Sequence, residues 1–331
     1  MEAGRIPFLV FVARRLLWAV FLLFVASVLV FVVFWLVPAN PAAIRPASPF
    51  SSPKAQADAR HFLQLDLPIW HQYVNFVWRT VRYGSLGRSY VSRRSVDSMI
   101  GADAPVTGSL ILGSAVIWLL VAIPLGIYAA VRPRSLADRT STILILLGLS
   151  AHPVWIGLTL SYIFGYRLGW VPIQGYCNFF HGGGAVPCFG ASEWAVHLLL
   201  PWITFSALFA ALYLRLIRAT VLENMTHDYV RTARAKGATE WRVVMVHVVR
   251  NSLIPVITIF GMDLGLAFGA SIFTENIFAL PGLGNEILRA YRLDDYPVLI
   301  GVIMFAAVCI VLLNLVVDIA YGWLEPHTRY S

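Results

Sequence analysis

Apolar residues fall in six long stretches, roughly 14–37, 106–131, 140–166, 196–217, 253–279 and 297–322, separated by polar segments. Each is long enough to cross about 30 Å of hydrocarbon at about 1.5 Å per residue. The pattern predicts an all-α polytopic membrane protein with six transmembrane helices. Arg14-Arg15 before Leu16 to Val37 resembles the start of a signal peptide. The apolar run, however, exceeds the usual h-region of about 7–15 residues, and Pro38-Ala39-Asn40-Pro41 is a poor cleavage site. Residues 1–37 are therefore read as a tail and a retained first helix. Residues 38–105 form a long loop outside the membrane. Within it, His61 to Leu65 and Tyr73 to Val81 carry apolar residues at helical spacing, predicting short amphipathic helices. Pro and Ser between 46 and 53 mark its flexible part. Residues 106–322 make a five-helix core that contains a polar loop at 218–252, and 323–331 form a tail.

Composition supports the same class. The chain is 59% hydrophobic and 13% charged, with a mean hydropathy of +0.73. A soluble domain is usually about 25% charged, because its surface must face water. The net charge of +8 has no nucleic-acid motif beside it, so no nucleic-acid partner is expected. Basic residues concentrate instead in alternate loops: Arg132, Arg134, Arg139, Arg231, Arg234, Lys236 and Arg242 on one side, against Arg167, Arg289 and Arg292 in the short loops of the other. The positive-inside rule then places both termini and the 218–252 loop in the cytoplasm. Cys177 and Cys188 share one outside loop, where an oxidising compartment permits a disulfide; two unpaired thiols are the alternative. No Cys/His array has zinc-site spacing, and no metal is expected.

The 218–252 loop is more than a topology signal. Tyr229 to Ala238 reads as a basic, Ala-rich helix, and Gly237 is suited to end it in a left-handed conformation. Thr239 can cap a second helix over Glu240 to Arg250, with Glu240 in its first turn. Helix, glycine turn, helix predicts a compact docking knob.

At this loop the chain resembles the binding-protein-dependent importer permeases of the ABC superfamily. Their signature of Glu-Ala-Ala, three residues, Gly is matched by Arg231-Thr232-Ala233-Arg234-Ala235-Lys236-Gly237, with Arg for Glu and Thr for the first Ala. The resemblance to the B-type dipeptide/oligopeptide permeases of the peptide/nickel branch covers nearly the whole chain. Its tags include Ala13-Arg14-Arg15-Leu16-Leu17, Gly84-Ser85-Leu86-Gly87-Arg88-Ser89, Ile123-Pro124-Leu125-Gly126 and Arg167-Leu168-Gly169-Trp170-Val171-Pro172. They continue with Arg250-Asn251-Ser252-Leu253-Ile254-Pro255, Phe278-Ala279-Leu280-Pro281-Gly282-Leu283-Gly284, Asp295-Tyr296-Pro297 and Asn314-Leu315-Val316-Val317-Asp318.

The resemblance implies a type I importer permease in a bacterial cell membrane, forming half of a pore for di- or oligopeptides. It implies a second homologous permease, two ATPase domains or subunits that carry ATP and Mg2+, and an extracytoplasmic peptide-binding protein. Relatives that carry nickel complexes or glutathione keep other small solutes open. No Gly-x4-Gly-Lys-Ser/Thr loop occurs, so no cofactor is expected on this chain and no ATP hydrolysis by it. Arg231, Thr232, Ala233, Arg234, Ala235, Lys236, Gly237, Ala238 and Glu240 become the expected ATPase-coupling residues. Pro281, Gly282, Leu283, Gly284, Asn285 and Glu286 become the expected contact with the binding protein; a plain connector is the alternative.

An ionisable group inside a bilayer needs a reason. Asp263, with Thr258 and Met262 in the same span, is the candidate for the translocation path; a structural pair with the partner permease is its alternative. His152 beside Pro153 reads as a hydrogen bonder at a kink, and Asp318 as the partner of a basic residue or a loop amide. Gly261, Gly265, Gly269 and Ala270 form a small-residue stripe suited to close helix approach. A secondary transporter would show inverted halves, and a membrane enzyme His-Glu-x-x-His or Gly-x-Ser-x-Gly; neither pattern is seen. The sequon at Asn224 falls on the inside and carries no weight.

Overall fold

The computed structural model describes residues 5–33, 67–89, 91–178, 186–188 and 190–324. The expected helix at His61 to Leu65, the flexible part at 46–53, the Pro38 to Pro41 segment and the end of the tail lie outside them. The helices are α1 (Arg5–Phe31), α2 (Ile69–Tyr83), α3 (Val96–Val131), α4 (Leu136–Ser150) and α5 (Pro153–Leu160), which continues as a π-helical turn over Ser161–Arg167. After them come α6 (Ala191–Asn224), α7 (Asp228–Ala235), α8 (Glu240–Ile277), α9 (Leu283–Arg292) and α10 (Tyr296–Leu324). Two two-residue strands, β1 (Cys177–Asn178) and β2 (Val186–Pro187), pair in parallel, a small addition to the all-α expectation. Cys177 and Cys188 are joined by a disulfide across 11 residues of chain.

Among the described residues five helices are long and apolar enough to cross a membrane, and a sixth apolar run is split. The expected third span at 140–166 is not one straight helix: α4 and α5 meet at 104°. Pro153 lacks an amide hydrogen and disfavours helical angles at the residue before it. Ala151 and His152 are accordingly extended, with ψ of 119° and 136°. His152 restarts the helix, its Nδ1 accepting from Val154 N at 3.3 Å, which fits its reading as a hydrogen bonder at a kink. Two spans also run well past their apolar centres. α3 begins at Val96 rather than 106, and α8 runs unbroken for 38 residues from Glu240.

The chain divides into two compact units. The first comprises residues 1–105 and 282–331. Here α1 packs along α10, and Val30, Phe31, Phe76, Ile300 and Met304 form a buried cluster with Tyr73 and Val77 against it. The amphipathic α2 supplies Phe76 and Tyr73, and Ser27 Oγ and Tyr73 OH are hydrogen-bonded at 2.9 Å. Asp318 pairs with Arg15 at 3.0 Å, the basic neighbour anticipated for it. Asp97 Oδ1 accepts from Leu86 N at 3.0 Å, and the Ser89 hydroxyl donates to Asp295.

The second unit, Val106–Pro281, is organised around α6, which packs against α4, α5 and α8. Small residues set the spacing. A Cβ at Gly148 would lie 2.7 Å from Ala211 Cβ and 3.1 Å from Ala207 O, and one at Gly113 would lie 2.2 Å from the Trp202 ring. Gly261 and Gly265 of the predicted stripe are buried within the fold, whereas Gly269 faces open space.

Candidate functional site

The polar knob after α6 is shaped by backbone chemistry. α6 closes on Asn224, whose Oδ1 accepts from Tyr229 OH at 2.8 Å while its Nδ2 donates to Thr220 O at 2.8 Å. α7 opens with Asp228, a negative charge at the positive end of a helix. Val230 is fully buried and anchors α7, whereas Arg231, Thr232, Arg234 and Lys236 are exposed. At the other end Gly237 takes φ +78°. Its N donates to Arg234 O at 2.9 Å, and Ala238 N donates to Ala233 O at 3.2 Å. These two bonds close a Schellman motif and satisfy carbonyls that a helix end otherwise leaves bare.

Across that turn Arg234 forks onto Glu240, with Nε to Oε1 at 2.8 Å and Nη2 to Oε2 at 3.3 Å. The pair clamps α7 to the start of α8. Both side chains expected to reach a partner therefore hold the knob's own shape in this structure. Arg231 pairs with Asp228 at 3.5 Å on the surface, a contact of small energetic weight. Thr239 departs from expectation: its backbone is extended, at φ −63° and ψ 147°, but its hydroxyl makes no capping bond. Its carbonyl instead accepts from Val243 N at 2.9 Å. The second helix does not stop at Arg250 but is continuous with the fifth span, with π-helical turns at Val243–Val248.

One feature of the knob escaped the sequence reading. Trp241 is 74% exposed beside the turn, with Tyr229 also at the surface. Exposed Trp and Tyr are the residue types that anchor protein interfaces. The signal was available as an aromatic between Glu240 and Arg242 at the head of a predicted helix.

The inferred path residues separate. Thr258 and Met262 lie one turn apart on one face of α8; Thr258 Oγ1 bonds back to Ile254 O at 3.2 Å, and Met262 is exposed. Asp263 instead accepts from Tyr213 OH of α6 at 2.8 Å. Tyr213 sits in an aromatic layer with Trp118, which is fully buried and stacked on Phe209 with centroids 4.6 Å apart. A second membrane carboxyl, Glu275, is fully buried and accepts from Thr107 Oγ1 at 2.7 Å. Asp138, at the start of α4, accepts from Arg218 Nε at 2.8 Å and Arg134 N at 2.9 Å. That node ties α4 to the last turns of α6 above the knob.

In the 281–286 segment Gly282, Leu283 and Gly284 are buried, Asn285 and Glu286 half-buried, and Pro281 exposed. Burial pushes the Glu286 carboxyl above its ordinary range, and Arg289, at 3.7 Å, pulls against that shift.

A family model described as the binding-protein-dependent transport system inner membrane component matches residues 122–330, and its N-terminal companion matches 8–111. The chain is 33% identical to the dipeptide transport system permease protein DppB of Escherichia coli (strain K12), over 89% of this chain and 91% of that one. It is 34% identical to the di/tripeptide transport system permease protein DppB of Pseudomonas aeruginosa (strain UCBPP-PA14), over 98% and 99%. It is 35% identical to the glutathione transport system permease protein GsiC of Escherichia coli O6:H1, over 89% and 91%. With an N-terminal and a main family model both matched and relatives at 33–35% identity covered over about nine-tenths or more of their length, the chain belongs to the inner membrane components of binding-protein-dependent transport systems, the permease subunits of ABC importers.

Proposed function

We propose that this chain forms half of the translocation pore of an ATP-driven importer of small peptides, paired with a second homologous permease. The observation that carries the reading is the knob at 228–242, closed by its Schellman turn and clamped by Arg234–Glu240. A knob whose polar groups satisfy one another keeps its shape without a partner, so docking costs little ordering entropy. Its exposed face, with Arg231, Lys236, Arg242 and Trp241, suits a groove on a separate ATPase subunit that binds the ATP and Mg2+. Ala233 and Ala235 permit close approach there. In this reading the knob and both termini are cytoplasmic, in keeping with the loop charges.

Closure of the ATPases then moves the knob, and the motion enters the membrane through α8, which starts inside the knob. Asp263, Thr258 and Met262 of that same helix border the path, with Tyr213 holding the Asp263 carboxyl in place. The 281–286 segment and the exposed Arg289, Tyr291 and Arg292 of α9 receive an extracytoplasmic peptide-binding protein in this reading. The dipeptide, di/tripeptide and glutathione relatives together favour peptides two or three residues long.

The test is co-purification and uptake. The tagged chain, extracted from membranes with its operon partners co-expressed, is expected to bring down an ATPase. Cells are expected to take up labelled dipeptide, with tripeptides competing. Gly237→Val should abolish uptake while membrane insertion stays normal, and deletion of 282–288 should lower uptake with insertion intact. Recovery of no ATPase, together with uptake unaffected by Gly237→Val, overturns the proposal.

A further inference from the structure

We propose that reduction of the Cys177–Cys188 disulfide turns Cys177, Glu193 and His197 into a binding site for a zinc-class divalent cation. One ligand atom from each of these residues lies within 4.8 Å of the other two. The three come from two elements that pack together, β1 and α6. Glu193 and His197 are four residues apart in α6 and so share a face. Trp194 Nε1 donates to Tyr176 OH at 3.1 Å, holding the residue before Cys177 against the same turn of α6.

The tautomer of His197 suits a ligand. Its Nδ1 is 2.9 Å from Glu193 O, and a carbonyl only accepts, so Nδ1 carries the proton. With Nδ1 so engaged, Nε2 is the nitrogen left to face a cation, and the backbone carbonyl fixes the ring as hydrogen-bond acceptors fix metal-bound histidines. A thiolate, an imidazole and a carboxylate are a borderline-soft set that matches zinc with one open position. Tetrahedral bonds of about 2.3 Å to sulfur and about 2.0 Å to nitrogen put the two atoms about 3.5 Å apart. Side-chain rotation covers the remaining distance.

In the structure Cys177 is committed to Cys188, and a disulfide sulfur is a poor ligand beside a thiolate. The gate is therefore redox chemistry. An external dithiol donates two electrons and two protons to the S–S bond and is itself oxidised to a disulfide, which leaves thiols at Cys177 and Cys188. Cys177 releases its proton as its sulfur takes the cation. The oxidised protein links Cys177 to Cys188, whereas the reduced, metal-bound protein links Cys177 to Glu193 and His197 of α6 through the cation. The site is independent of the peptide-import reading.

Cobalt(II) alone is the probe, titrated into the full-length protein in detergent with Cys309→Ser in the background. The oxidised protein is expected to show no thiolate-to-cobalt charge-transfer band. A phosphine reductant, removed before titration, should produce a band that saturates at one equivalent. Cys188→Ser should give the band without reductant, and Cys177→Ser should give none under either condition. Adding His197→Gln or Glu193→Gln to Cys188→Ser should weaken cobalt binding about 10-fold or more. If Cys188→Ser does not fold, the reduced parent carries the same comparison. An equal band in the oxidised protein, no band after reduction, or a band indifferent to both His197→Gln and Glu193→Gln overturns the proposal.

Discussion

Gly237 offers a direct test of what holds the knob in shape. Its φ of +78° lies in the left-handed region, and a Cβ built there meets no atom within 4 Å. Any penalty for a side chain is thus backbone strain, not collision. For an L-residue that strain is about 1–2 kcal/mol, with Asn favoured over Ala because its side chain bonds locally; a β-branched residue is worse still. Such a loss raises the open population about 5- to 30-fold. The assay is hydrogen exchange by mass spectrometry on peptides covering 233–243, corrected for intrinsic rates. The reporting amides are those of residues 237 and 238, which donate to Arg234 O and Ala233 O. Exchange is expected to speed up about 5- to 30-fold in Gly237→Ala, less in Gly237→Asn and more in Gly237→Val. Equal exchange in all four proteins, or an ordering by size that puts Asn above Ala, would refute the Schellman argument. Coupled ATPase activity should fall in the same order.

Three further outcomes follow from the packing. Gly113→Ala drives a methyl to within 2.2 Å of the Trp202 ring, whose Nε1 already donates to Ser109 O at 2.9 Å; overpacking of about 1–3 kcal/mol should appear as a lower melting temperature by fluorescence-detected size exclusion, whereas Gly269→Ala should be silent. Tyr213→Phe keeps the ring in its aromatic layer but deprives Asp263 of its donor, a loss of about 1–3 kcal/mol; adding Asp263→Asn should restore most of the melting temperature, and independent, additive losses would contradict the pairing. Glu286, raised by burial, favours its protonated form in the folded protein, so its contribution to stability is full at low pH and is lost as pH rises through its folded pKa. Glu286→Gln should therefore gain stability relative to the parent between pH 4 and pH 7, and a gap that shrinks over that range would reverse the sign of the argument.

The spans and the knob were legible because their signals are local. Twenty apolar residues read as a membrane helix wherever they stand, and Lys236-Gly237-Ala238 carries its own turn chemistry. What escaped depended on distance along the chain or on balance between elements. Tyr213 and Asp263 are 50 residues apart, and Arg218 and Asp138 are 80; nothing in either local pattern announces the other. Glu275 falls near the end of an apolar run, where a carboxyl ordinarily reaches water, yet Thr107, 168 residues away, donates to it in the core. His152-Pro153 suggested a kink, but the step to 104° needs two extended residues, and Ala151 gives no sign of being one. Arg234 and Glu240, expected to face a partner, bond to each other instead, a pairing that six residues of separation allows.

The unbroken run of α8 has a mechanical consequence. Its 38 residues make a rod about 57 Å long at about 1.5 Å per residue, nearly twice the about 30 Å of hydrocarbon it crosses. If the rod pivots at mid-membrane, its knob end stands about 42 Å from the fulcrum and its far end about 15 Å. Sideways travel at the knob then arrives at the far end reduced about threefold, with force multiplied by the same ratio. In a rod that pivots so, the compliant places are the π-helical turns at Val243–Val248 and Pro255, where the hydrogen-bond ladder is widened or interrupted. Stiffening those two places should tighten the gearing between stroke and opening, and loosening them should let the stroke slip.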